Sequence, residues 1–126
     1  MIYFAQGEMT RLIKIGFTRS FLEQRINALR CGSPDKILFL GAHPGEEYEE
    51  RMLHNKFHCY RLHGEWFEEN TPLKKYIETN SFKSMETAFN VSVLENKGLI
   101  TRDAALKIGY KEIQDIYNLS TANEMW

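Results

Sequence analysis

Apolar and polar positions fall into blocks with different periods. Ile2-Tyr3-Phe4-Ala5 is a short aromatic and β-branched run closed by Gln6-Gly7-Glu8, and Leu12-Ile13-Lys14-Ile15-Gly16-Phe17-Thr18 follows a brief polar stretch. Two such runs around a glycine-containing loop predict an antiparallel hairpin. Ser20 with Glu23 three residues on is a capping-box pattern, and Phe21, Leu22, Arg25, Ile26 and Leu29 recur at helical spacing, which predicts a helix over about 21–30. Ile37-Leu38-Phe39-Leu40 is apolar at every position, the mark of a strand buried on both faces, and His43-Pro44-Gly45 breaks it. From Glu46 to His58, Met52, Leu53 and Phe57 form one stripe opposite a dense charged face, predicting a second helix. Gly64-Glu65-Trp66-Phe67 is too short for a helix and reads as a segment between charged loops, and Thr71-Pro72 reads as N-cap and N1 of a third helix through about Ile77.

The order β-β-α-β-α-α defines an α+β fold, a small three-stranded antiparallel sheet flanked by helices, over residues 1–80. Residues 1–78 hold all of these strands and are expected to fold alone. Asn80-Ser81-Phe82-Lys83-Ser84 marks the boundary to a helical extension, 81–126. In it Met85–Leu94 predicts one helix, Thr101-Arg102-Asp103 caps a second carrying Ala104, Ala105, Leu106 and Ile108, and Gly109 separates that from a third beginning at Tyr110. The last two fit a helix-turn-helix or a packing hairpin, and the balance of Lys97, Arg102, Lys107 and Lys111 against nearby carboxylates favours the hairpin.

A chain of 126 residues can bury roughly two-thirds of its unfolded surface without disulfides or a structural metal. Hydrophobic residues at 43% and charged residues at 26% exclude a disordered chain. No apolar run approaches a membrane span, Met1-Ile2-Tyr3 lacks a charged n-region before an apolar stretch, and Cys31 and Cys59 stand far apart, so a cytoplasmic protein with reduced thiols and no membrane contact is expected. His43, His58 and His63 match no zinc spacing with these cysteines. The formal charge is −1, yet residues 1–30 carry five basic and two acidic side chains while residues 31–70 carry four basic and eight acidic. A basic third beside an acidic one suits a phosphate site next to a metal-binding carboxylate, and suits ordinary surface mixing equally well.

The specific signal is a series in fixed order: Ile2-Tyr3, Lys14-Ile15-Gly16, Arg25, Glu50 with His54 four residues on, then Gly64-Glu65-Trp66-Phe67. Over about residues 1–75 this resembles the GIY-YIG nuclease superfamily, most closely its T5orf172 or MUG113 branch. The family's Gly-Ile-Tyr is Met1-Ile2-Tyr3 here, and its Tyr-Ile-Gly is Lys14-Ile15-Gly16, with lysine in place of the second tyrosine. The resemblance implies a metal-dependent endonuclease acting on DNA with Mg²⁺ or Mn²⁺. It implies Tyr3, Lys14, Arg25, Glu50 and His54 as catalytic residues and Glu50 as the metal ligand. Arg25, Arg61 and Gly16 are the candidate substrate-binding residues.

The residue types suit that chemistry. Phosphodiester hydrolysis needs an activated water and positive charge to offset the phosphoryl oxygens. A hard divalent cation keeps most of its waters, so a single carboxylate can hold it. Glu50 is chosen over its neighbours Glu46, Glu47 and Glu49 because the family pattern sets the glutamate four residues before the histidine, one helical turn away. Arg25 offers a planar fork for two phosphate oxygens. A phenol ionises near pH 10, so a basic Tyr3 needs a nearby cation, and Lys14 on the adjacent strand is the candidate. Taken singly, a strand tyrosine, a helix arginine and a row of glutamates are ordinary core and surface. Trp66 and Phe67 read as core residues closing the sheet in preference to a base-stacking platform, and Glu65 and Arg61 as residues orienting the site. The competing functions are a catalytically weak nucleic-acid-binding module on the same fold and a protein-interaction module, with a homodimer paired through the C-terminal helices.

Overall fold

The N-terminal hairpin forms as its pattern predicts: β1 (Ile2–Gly7) pairs antiparallel with β2 (Ile13–Phe17), with Tyr3 opposite Gly16 and Ala5 opposite Lys14. The computed structural model describes residues 1–124; Met125 and Trp126 of the expected extension, and the side chains of Arg102, Leu106, Tyr110, Ala122, Asn123 and Glu124, lie outside the described residues. After β2 come α1 (Leu22–Gly32), β3 (Ile37–His43), α2 (Glu47–Lys56) and a 3₁₀ turn at His58–Tyr60. Then follow β4 (Arg61–His63), β5 (Trp66–Phe67), α3 (Thr71–Asn80), α4 (Met85–Asn96), α5 (Arg102–Lys107) and α6 (Tyr110–Glu124).

The class is α+β, with a five-stranded antiparallel sheet in the order β3-β1-β2-β5-β4 in place of the three strands expected. The extra pair is the segment Arg61 to Phe67. Strands of three and two residues are too short for an alternating pattern to register, and they form because Gly64, at φ +55°, makes the two-residue hairpin turn. β3 runs on through His43, and it is an edge strand whose Leu38, Phe39 and Leu40 are only half-buried, not the fully enclosed strand its composition predicts. Its outer side is met by an isolated bridge in which the backbones of Ala42 and Phe82 exchange both hydrogen bonds.

Two apolar cores lie on the two sheet faces. On one, Ile2, Phe4, Ile13, Ile15 and Phe67 pack with Leu53 and Phe57 from the region of α2 and Leu73 and Ile77 of α3. On the other, Tyr3 and Ala42 pack with Leu22 and Ile26 of α1 and with Ala88, Val91 and Leu94 of α4. Ile113 of α6 and Ala105 of α5 join that second core, so the extension closes over the sheet, and Ile116 and Tyr117 of α6 face the molecule's own core.

Two expected caps are placed differently. Ser20 does not cap α1: its hydroxyl pairs with the Thr18 hydroxyl at 2.9 Å, and the Leu22 N–H donates instead to Ser92 Oγ of α4, also at 2.9 Å. For α3 the N-cap is Asn70, whose Oδ1 accepts from the Leu73 N–H at 2.9 Å, so Thr71 and Pro72 sit one position further in.

Candidate active site

The hairpin register sets Tyr3, Gly16, Ala5 and Lys14 on one face of the sheet, the face covered by α1. The Tyr3 ring is fully buried, and it fits because the residue opposite has no side chain. A Cβ on Gly16 would overlap Tyr3 Cζ and stand 2.5 Å from Oη. Arg25 projects from α1 onto the tyrosine, its Nε–H donating to Tyr3 Oη at 3.0 Å. That contact, with the Glu65 charge in support, holds the guanidinium above its usual range.

Lys14 is turned to a different partner. Its Nζ lies 2.7 Å from Glu65 Oε2 and 5.4 Å from the centroid of the Trp66 ring. The cation bonded to the Tyr3 hydroxyl is thus Arg25, where the sequence pattern assigned that place to Lys14. Glu65 occupies the hairpin turn, tied to the sheet through its carbonyl, which accepts the Ile15 N–H at 3.0 Å.

From the opposite side α2 brings Glu50 and His54. His54 Nε2 lies 3.0 Å from the Ile15 carbonyl and 3.3 Å from Glu50 Oε1, and its ring stands edge-on to Phe67 at 5.1 Å. The Glu50 side chain is 14% exposed. Burial, then the charge of Glu65 and a hydrogen bond with that carboxyl, push Glu50 up to about 7, while Lys14 pulls the other way. Two carboxyls that share a proton form a donor set that a hard cation can enter by displacing it. Among the described residues no group of three or more histidine, cysteine or acidic side chains is gathered to hold an ion.

Tyr3, Lys14, Gly16, Arg25, Glu50 and His54 therefore meet, joined through Glu65, which the sequence suggested only as an orienting residue. The signal for Glu65 was its place in the Gly64-Glu65-Trp66-Phe67 motif; the turn that aims it at the site strand left no signal of its own. Arg61 stands on the outermost strand, where its Nε–H donates to the Gly64 carbonyl at 2.7 Å and steadies the turn that carries Glu65. Trp66 is half-buried and lines a surface groove, whereas Phe67 alone closes the core.

A buried strand tyrosine held by a helix arginine thus stands beside a carboxyl pair drawn from α2 and from the turn between β4 and β5. The T5orf172 domain model matches residues 1–84, and the chain belongs to that family, in the GIY-YIG-like nuclease branch. No curated protein and no solved structure matches the chain significantly. Among the described residues no helix is long and apolar enough to cross a membrane.

Proposed function

We propose that this chain is a metal-dependent endonuclease that hydrolyses phosphodiester bonds in DNA. The observation that carries the reading is that the Arg25–Tyr3 pair lies beside the Glu50–Glu65 carboxyl pair, with Glu65 acting on both Arg25 and Glu50, in a member of a nuclease-related family. Glu50 would hold Mg²⁺ or Mn²⁺, which supplies positive charge against the phosphoryl oxygens. Arg25 binds the scissile phosphate with the guanidinium nitrogens not used by Tyr3. Tyr3, as the phenolate held by the Arg25 guanidinium, takes the proton of the attacking water and becomes the phenol. His54 holds Glu50 against β2, and Lys14 holds Glu65 in place.

Plasmid cleavage in Mg²⁺ or Mn²⁺, compared between the wild type and Glu50→Ala, tests this. Nicking or linearisation by the wild type and none by the variant is the expected result; equal cleavage by both removes Glu50 from the mechanism. A second reading keeps the fold as a nucleic-acid-binding module without efficient cleavage. The 2.7 Å ion pair that ties the Lys14 ammonium to Glu65, at the place of the family's second tyrosine, favours it. Tight DNA binding with no cleavage in either metal is its signature.

A further inference from the structure

Three adjoining cavities run across the face that carries Arg25, and they share walls. The first, about 460 Å³, lies between Phe17, Thr18, Arg19, Ser20, Arg25 and Glu47. The second, about 370 Å³, begins at the same Arg25 and continues past Leu29, Pro34 and Trp66. The third, about 160 Å³, starts from Pro34 and Trp66 and ends near Leu12 and His63. One groove therefore passes from a section of two arginines, two hydroxyls and Glu47, through Arg25, past Leu29, Pro34 and Trp66, to an end that also holds Asp35.

We infer that this groove receives an unpaired strand of DNA, with a phosphate on Arg25 and the adjoining base against Trp66. The inference rests on the nuclease reading and adds its substrate class. Duplex DNA presents phosphates and sugars to a protein surface, and its base faces are stacked away inside. A groove that needed only a backbone would be lined by cations and donors throughout. Here the wall next to the phosphate-binding arginine is apolar and aromatic, which suits the π-face of an unstacked base. The second cavity falls in the size range of small-ligand pockets, room for a base beside the ring. Trp66 is kept half-buried on this face by its pairing with Lys14 across β2 and β5, so the ring is in place before any ligand arrives. Complementary charge comes from Arg25 and from Arg19, which is exposed and linked to Glu47 at 2.7 Å.

The test is binding of a fluorescent deoxyoligonucleotide in EDTA, as a single strand and as its own duplex, to the wild type, Trp66→Leu and Trp66→Phe. The single strand is expected to bind the wild type at least tenfold tighter than the duplex. Trp66→Leu should weaken that binding by roughly five- to a hundredfold, the loss that one base–aromatic stack produces, and leave duplex binding within about threefold. Trp66→Phe, which keeps a stacking ring, should recover most of the loss, and matching circular dichroism melts show that both variants fold. Equal affinity for single strand and duplex, or equal weakening of both by Trp66→Leu, overturns the inference. A ribonucleotide strand that binds tighter than the deoxy strand overturns the assignment to DNA. Because binding is read without metal, single-strand preference here together with no plasmid cleavage in Mg²⁺ or Mn²⁺ would remove the nuclease reading and leave this one standing. Cleavage of duplex with no single-strand preference would do the reverse.

Discussion

At Glu50, burial and a neighbouring carboxyl act in one direction, raising its titration from the ordinary glutamate value of 4.5 to about 7. Between those two values the folded protein keeps a proton that the unfolded chain has lost. This contribution to stability is fully present below pH 4.5 and disappears as pH rises through about 7. The metal-free wild type should therefore lose Tm between pH 5.5 and pH 8 relative to Glu50→Gln, which carries no titrating group there. Millimolar Mn²⁺ at pH 8 should restore the wild type and leave the variant unmoved. Parallel melting curves for the two across that range would remove the coupling. Gly16 supports a second expectation at this scale. Gly16→Ala puts a methyl group where the buried Tyr3 ring lies, an overpacking that costs about 1–3 kcal/mol. The ring must move away from Arg25, so thermal melts should show a lower Tm and plasmid assays at least a tenfold lower cleavage rate. Retention of both would mean that the tyrosine is not held where its hydrogen bond places it. The residues of this site were legible because their order along the chain carries the family pattern. Their partners were not. Lys14 sits on the same face as Tyr3, but the acid that captures it comes from a turn fifty residues away, and only the strand pairing brings the two together.

Among the elements, α1 and α4 depend on each other. The first N–H of α1 has no acceptor from its own loop and takes Ser92 Oγ, itself 1% exposed, while Leu22 and Ile26 bury against Val91 and Leu94. Ser92→Ala should cost about 1 kcal/mol, as the loss of an N-terminal cap does, and lower Tm without changing the circular dichroism spectrum. Ending the chain after Asn80 is a larger change. It uncovers Tyr3, Leu22, Ile26 and Ala42 together, so the shortened chain should show a broad, non-cooperative melt and exposed apolar surface by dye binding. A sharp cooperative melt would vindicate the expectation from the sequence that 1–78 suffices. That expectation followed from counting strands and amphipathic helices. It could not register that one face of the sheet is left for α4, because the apolar residues of a strand do not say which later element will cover them. The same limit explains the Ser20 capping box: the local pattern is satisfied on paper, and a tertiary contact supplies the acceptor. Elements with several apolar positions in a recognisable pattern, such as the hairpin and α2, were legible; the two- and three-residue strands that complete the sheet were below the length at which a period exists.

The whole molecule has a formal charge of −1, and α2 carries Glu47, Glu49 and Glu50 in its first turn. Such a body does not draw nucleic acid from a distance, and the acidic end of α2 repels phosphate beside the site. Attraction must come from short contacts in the groove, where the cations are Arg19 and Arg25. Each phosphate neutralised on a single strand contributes about −0.7 to the slope of log affinity against log salt concentration. Two arginines then predict a slope between about −1 and −2 for a single strand in EDTA, much shallower than that of a protein with a broad basic face. The aromatic wall at Trp66 adds affinity that salt does not screen. Binding should consequently persist at salt concentrations that release proteins relying on many phosphate contacts. Arg25→Gln should make the slope shallower by about 0.7, whereas Trp66→Leu should lower affinity and leave the slope unchanged. Measured isotherms from 50 to 300 mM salt decide the matter. A slope steeper than about −4 would mean that the strand is held by cations outside the groove, and a slope moved by Trp66→Leu but not by Arg25→Gln would exchange the roles assigned to the two residues.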